Sequence, residues 1–239
     1  MSQFKTELHC HTSEVSPCAY ASAEQVVDAY LAAGYTTLVI TDHLVDSILD
    51  FAGEAWRQKI DHFLSGYRHA RDCADGRLNV LLGCELRFTG DPNDYLVFGM
   101  DEDFLYTHPE LYKSSLARFR PFAIEHGMLI VQAHPFRNGM KITNPRYLDG
   151  IEVFNSTPIA IHNSRNDFAN RWAMANGLIR TAGSDYHGGK YPINGGILTD
   201  EPVTSMEQLV DILRHEQHTL LCQGPDAEAI GFSSMPAKY

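Results

Sequence analysis

Metal-ligand side chains recur along this chain at the ends of short apolar runs: His9-Cys10-His11, Asp42-His43, Glu85, His134 and Asp185-Tyr186-His187. Successive side chains of an extended segment point to opposite faces, so His9 and His11 share one face, as do Asp185 and His187. Such groups at the same end of successive strands demand an architecture that gathers many strand ends at one mouth. Imidazole nitrogens and carboxylate oxygens bind zinc, manganese or iron, and a carboxylate such as Glu85 can bridge two ions. The pattern points to a polynuclear metal site.

Strand-like runs are expected over residues 6–11, 37–41, 79–84, 95–99, 128–132, 150–154 and 178–182, with further candidates at 196–199 and 219–223. Helical patterns fill the gaps. Ser22 and Gln25 form a capping box ahead of the stripe Val26, Val27, Tyr30 and Leu31, which ends at Gly34. Trp56, Ile60, Phe63, Leu64 and Tyr67 give a second helix, and Phe168, Trp172 and Ala173 mark another. Ser205 and Gln208 repeat the box before Leu209, Ile212 and Leu213. Pro121 interrupts a run over 116–125 and predicts a break or a fresh start there. Strands alternating with helices predict an α/β fold, a parallel sheet or a barrel with outer helices. In such barrels functional groups collect at the C-terminal strand ends.

With 239 residues, 44% of them hydrophobic, the chain suits one large domain, and residues 225–239 read as an irregular C-terminal tail. The net charge of −11 argues against tracking the phosphates of long nucleic acid. No apolar stretch approaches a membrane span and the first residues lack a signal-peptide core, so the expectation is a soluble, cytoplasmic protein with no membrane partner. Five cysteines without a CxxC pair argue against a disulfide framework or a zinc ribbon. Nothing in the chain specifies an oligomeric state.

The motifs Glu7-Leu8-His9-Cys10-His11-Thr12, Ile40-Thr41-Asp42-His43, Gly83-Cys84-Glu85, Ala133-His134-Pro135 and Gly183-Ser184-Asp185-Tyr186-His187 together resemble the polymerase and histidinol phosphatase (PHP) family. The resemblance runs from the first strand to Gly188. It implies a distorted, TIM-barrel-like (β/α)7 barrel, two or three divalent ions (zinc, manganese or iron) and hydrolysis of phosphoesters. Carried over by position, His9, His11, Glu85 and Asp185 would hold one ion, Glu85 and His134 a second, and His43 and His187 a third. Two positions depart from the family's pattern. In the loop after His-x-His, Glu14 is the first choice of ligand and Cys18 the second. After the strand that follows Glu85, the candidates to replace an expected histidine are Asp101 and His108, with an open position as the alternative.

Further roles follow from residue chemistry. Arg137, three residues after His134, can pair with a phosphate through its planar fork of donors. Asn155 and Arg165 are further substrate-binding candidates. Attack by a metal-bound hydroxide on phosphorus is the expected mechanism, with Arg137 stabilising developing charge and Asp42, His187 or a bound water supplying the leaving-group proton. Asp42 is also expected to orient a histidine in preference to binding an ion directly. The expected function is a metal-dependent phosphoesterase, histidinol-phosphatase-like, for a small phosphorylated metabolite or nucleotide. Two alternatives stand beside it: an amidohydrolase-type C–N hydrolase, and a metal-holding regulatory module without turnover.

Overall fold

A computed structural model describes residues 3–159, 161–224 and 227. The expected tail, 225–239, lies outside them apart from residue 227. The strands are β1 (Phe4–Glu7), β2 (Thr37–Ile40), β3 (His43–Leu44), β4 (Asn79–Leu82), β5 (Cys84–Leu86), β6 (Tyr95–Phe98), β7 (Leu129–Gln132), β8 (Gly150–Asn155), β9 (Ile179–Gly183), β10 (Gly195–Thr199) and β11 (Thr219–Cys222). The helices are α1 (Ala23–Ala32), α2 (Asp46–Leu49), α3 (Trp56–Ala74), α4 (Glu102–Thr107), α5 (Leu116–Glu125), α6 (Asn166–Asn176) and α7 (Met206–Arg214). None is long and apolar enough to cross a membrane.

The strands form two sheets, ordered β11-β10-β1-β2-β4 and β3-β5-β6-β7-β8-β9. A single register joins them. Ile40 pairs with Leu82 in the first sheet and His43 with Glu85 in the second, so two neighbouring chain segments run together from one sheet into the other. The bend falls at Gly83, where a Cβ would lie 2.8 Å from Val39 Cγ1. Beyond β1 and β9 the two chains meet again through the parallel bridge Cys10–Tyr186.

The fold is thus mixed α/β, but it is not a uniform parallel repeat. β6 runs antiparallel to both β5 and β7, and β10 antiparallel to β1 and β11. The reversal of β6 turns its N-terminal end, with Asp94, toward the C-terminal ends of its parallel neighbours. Asp101 and His108, expected at the mouth, therefore stand at the opposite end. Asp101 caps α4 through Phe104 N, and His108 stacks on Phe104.

Packing follows the apolar patterns. Ser22 completes its capping box with Gln25 on α1. Ile60, Phe63, Leu64, Ala70 and Ala74 form the buried stripe of α3, and burial of a large apolar side chain contributes roughly 1.5–3 kcal/mol. α7 packs Leu209, Val210 and Leu213 against Val39, Leu81, Leu96 and Val131, which closes one end of the strands with apolar side chains. Pro121 does not break α5. Pro121 and Ala117, the residue four positions earlier, are both exposed, so the carbonyl that loses its N–H partner can bond water.

Candidate metal centre

His9, His11, Glu85, His134 and Asp185 come from four separate parts of the chain and are all almost fully buried. His9 Nδ1 lies 2.8 Å from Glu152 Oε1. That bond fixes the ring and leaves Nε2 aimed at His11 Nε2 (3.1 Å), Asp185 Oδ1 (3.3 Å) and Glu85 Oε1 (3.5 Å). His11 Nε2 stands 3.3 Å from Asp185 Oδ1 and 3.4 Å from Glu85 Oε2. Four ligands on zinc-type bonds of about 2.0–2.2 Å, arranged as a tetrahedron, are separated by about 3.3–3.6 Å. The measured edges sit at or just below that spacing, so the donor set fits an ion.

Glu85 extends the cluster in two directions. Its Oε1 lies 3.0 Å from His134 Nε2, with Asp94 Oδ2 3.9 Å beyond. Its Oε2 lies 2.8 Å from His43 Nδ1. Candidate ligand atoms of His11, His43 and His187 also fall within 4.8 Å of one another, as do those of Glu85, Asp94 and His134.

The electrostatics show what such packing requires. Burial opposes the charge on Glu85, yet the imidazoles of His43 and His9 and the hydrogen bonds from His134 and His43 hold its carboxyl well below the usual range. Asp185 behaves alike: burial is outweighed by His9, Arg137 and His11. Burial, reinforced by His187 and His43, drives His11 well below the ordinary imidazole value, whereas Asp185, Glu152 and Glu85 overcome burial and raise His9. Buried carboxylates need a cation, and a divalent ion can take the place of the proton on His9.

A second layer of carboxylates orients this layer. Glu152 accepts from His9, from His134 N and from Asn155 Nδ2. Gly183 leaves room for the first pair, since a Cβ there would lie 2.5 Å from His9 Cβ and 2.7 Å from Glu152 Oε1. Glu7 accepts from the backbone N–H groups of Leu8, His9 and Ser184 and from the Tyr30 hydroxyl. Burial pushes its carboxyl up to about 7 despite these donors. His134 (φ 28°) and Asp185 (φ 51°) adopt left-handed backbone, an uncommon conformation outside glycine that clusters at functional sites.

Several expected site residues are placed otherwise. Glu14 turns away: it accepts from Ala23 N at 2.9 and 3.0 Å and pairs with His69, because the N-terminus of α1 offers unpaired N–H groups. Asp42 is sealed by Thr12 N, Thr12 Oγ1 and Ser16 Oγ at 2.6–2.7 Å, with Gly66 of α3 pressed against Thr12 and Asp42. Burial raises its carboxyl to about 6. It orients no histidine directly. It holds Ser16, whose Oγ is 3.3 Å from His43 N and 3.4 Å from His11 Nδ1. Asn155 spans Glu152 and Asp185 and holds no free face toward the cavity. Arg165 is exposed and its guanidinium reaches Asn138 on the rim. Arg137 lines the cavity, but its Nη2 is held by Asp185 Oδ2 at 2.6 Å.

The cavity above the cluster measures about 280 Å³ and is lined by Cys18, His43, Glu85, Arg87, Asp94, His134, Arg137, His162, Asp185, His187 and Tyr191 among others. Glu152, Asp94, Arg87, His162 and Tyr191 carry no role in the sequence reading. Glu152 had a signal, since a carboxylate inside the apolar run Ile151–Phe154 is expensive to bury unless it is used. Cys18 is positioned between two imidazoles, its Sγ 3.3 Å from His43 Nε2 and in hydrogen-bonding reach of His187. Partial burial raises the thiol, and the bonds from His187 and His43 outweigh it to bring the value down to about 6.

Comparison with known proteins agrees with this geometry. No curated protein matches the chain by sequence. Among solved structures, PsfC from Pseudomonas syringae superposes with a TM-score of 0.70 at 15% identity, over 97% of this chain and 96% of that one. A two-domain protein from Bacteroides vulgatus, described as containing a PHP-like metal-dependent phosphoesterase, gives 0.66 at 14% identity; 93% of this chain is covered but only 65% of that protein. An amidohydrolase from Chromobacterium violaceum, solved with sulfate and no metal, gives 0.52 at 15%, over 87% of this chain and 96% of that one. At these identities the likenesses establish the fold alone. The PHP domain matches residues 7–211, a span that takes in every ligand group from His9 to His187, and the chain belongs to the PHP domain family.

Proposed function

We propose that this chain hydrolyses the phosphoester of a small phosphorylated metabolite or nucleotide, using divalent ions held by His9, His11, Glu85 and Asp185 and, across Glu85, by His134. The observation that carries the reading is the set of nitrogen and oxygen edges of 3.1–3.5 Å around His9 and His11. Bound divalent ions would supply Lewis acidity toward phosphoryl oxygens and a lowered pKa for water. Asp94 adds a carboxylate beside His134, steadied by two 2.6 Å bonds from Arg87. Arg137 brings positive charge to the cavity wall and fixes Asp185 at the same time. The cavity is at the small end of ligand sites, which suits a compact metabolite. Asp42 is closed off from it, which leaves His187, Tyr191 and His162 as lining groups that can protonate a leaving alkoxide. In the same reading the Cys10–Tyr186 bridge is the seam at which the strands close as a distorted seven-stranded barrel.

The amidohydrolase-type alternative keeps one support, the Chromobacterium neighbour. Against it, no lysine is found among the described residues that line the cavity, and Glu85 stands between His9, His43 and His134 where a bridge would be needed. The test is metal analysis of the purified protein followed by a screen of phosphomonoesters, phosphodiesters and amides. Turnover of phosphoesters that disappears in Glu85→Ala and His134→Ala is the expected result. Hydrolysis retained by both variants removes the site.

A further inference from the structure

The cavity over the cluster leaves little room for the alcohol portion of an ester. At about 280 Å³ it has to take the ions, their water and the phosphoryl group, whereas sites for organic ligands occupy roughly 300–1,000 Å³. A second hollow of about 460 Å³ opens beside it. Pro17 lines this groove and Cys18 lines the cavity, so a single peptide unit separates the two. The groove is built from the loop after His11, with Val15 and Pro17, and from α2 and the turn that follows it, with Ile48 and Phe51. β3, which precedes α2 and carries His43, runs parallel to β5, so both segments leave the strands at the mouth.

We propose that this groove is the subsite for the alcohol portion of the phosphoester, that it takes an uncharged planar ring, and that Phe51 is the residue that selects it. The inference rests on the phosphoesterase reading and gives its substrate a class. One exposed aromatic side chain carries no weight by itself, since soluble proteins scatter apolar groups over their surfaces. Phe51 differs in its position: it is 91% exposed and lines a groove that Val15, Pro17 and Ile48 also line. A flat ring entering there gains apolar contact and a stacking partner. Among the described residues that line the groove there is no arginine or lysine, and its carboxylate, Glu14, is already taken up by Ala23 N and His69. A second phosphate or a carboxylate on the substrate therefore has no guanidinium or ammonium to meet. The hydroxyls of Ser13 and Ser47 and the imidazole of His62 instead offer hydrogen bonds to the polar edge of a ring.

Both segments are held without a ligand. Asp46, at the start of α2, accepts from Thr89 Oγ1 at 3.0 Å, and Asp50, next to Phe51, accepts from Lys59 Nζ at 2.7 Å and from the Tyr112 hydroxyl at 3.0 Å. Leu49 between them is fully buried. Phe51 N and Ala52 N close the turn on the carbonyls of Ile48 and Leu49. In the loop after His11, Val15 is buried and Ser16 is held by Asp42. The ring of Phe51 is thus presented to solvent on a fixed main chain, and little ordering remains to be done when another ring stacks on it.

Steady-state kinetics of the metal-loaded full chain on ethyl phosphate and 2-phenylethyl phosphate test this. Both leaving groups are primary alkoxides, so the chemical step is matched and a difference in KM reads the ring. The expected result is a KM roughly tenfold lower for the phenylethyl ester with kcat about equal. Phe51→Ala should erase that difference and leave both constants for ethyl phosphate unchanged, and so exposed a side chain can be truncated without disturbing the core. Ile48→Asn, from the same groove, should reduce the preference as well. Equal KM values in the wild type, or a preference that survives both variants, overturn the inference and leave the phosphoesterase reading standing. Turnover of neither ester, nor of any phosphoester in the screen, removes that reading and this inference with it.

Discussion

The two ends of the strands treat charge in opposite ways. At the mouth, Glu85 is shared among His9, His43 and His134, and Asp185 among His9, His11 and Arg137. At the other end, Arg120 meets Asp149 one to one through Nη1 and Nη2, and Asp149 also accepts from Ile130 N. The second arrangement balances its charge within one pair. The first directs lone pairs of several rings and carboxylates into one small volume, which is stable only with protons or cations in it. The comparison separates a stabilising ion pair from a site that is organised to receive something.

The largest break in this comparison comes from removing Glu85. In the proposed reading Glu85→Ala takes a ligand from more than one ion, so metal affinity should fall by more than the ~100-fold that marks the upper range for outer partners. Calorimetric titration with zinc measures it. Stripping metal from the wild type should lower its thermal midpoint, and returning zinc at about 100 times Kd should restore about 2.7 kcal/mol. An unchanged midpoint would mean the mouth is as self-sufficient as the Arg120 end.

Glu152→Gln should weaken affinity about 10–100-fold without displacing His9, because the amide oxygen can still accept one bond. Metal affinity as strong as wild type would show that Glu152 merely fills space. Arg120→Ala should do the reverse: a loss of about 1–3 kcal/mol in urea unfolding, since Asp149 is left mostly buried without its cation, and no change in zinc affinity.

Glu7→Gln is the smallest expected effect and appears as a slope. The folded carboxyl of Glu7 is raised from 4.5 to about 7, so the folded state holds its proton more tightly than the unfolded chain. Its contribution to stability is full below pH 4.5 and is lost as pH rises through about 7. Glutamine imitates the protonated acid, so the variant's thermal midpoint should gain on the wild type across that window. Parallel curves would place the Glu7 titration elsewhere.

Much of the mouth is legible in the chain because strand parity and apolar runs are local. His9, His11, Asp185 and His187 are visible by spacing alone, and the capping box at Ser22 and the N-cap at Ser205 by residue type, although Gln208 accepts from Thr204 N and so does not close a box on Ser205. Strand direction is not local. Nothing within residues 95–99 announces that β6 is reversed, and a parallel reading places Asp101 where Asp94 stands. Glu14 shows another limit, since a carboxylate nine residues ahead of a helix start serves a ligand role and a capping role with the same sequence signature. Glu7 and Glu152 lie on strands that look structural, and their use appears only when His9 and His134 are placed above them.

The left-handed backbone at His134 and Asp185 restricts how this centre can be altered. Asparagine, aspartate, histidine and glycine tolerate such torsions, whereas valine, isoleucine and threonine do so at a steric penalty. Anyone retargeting the protein to a different ion by randomising these positions draws from an alphabet that the main chain has already shortened. The surviving letters, glycine apart, are themselves donors, so the lineages reachable by single substitutions at these two places are mostly ones that still coordinate.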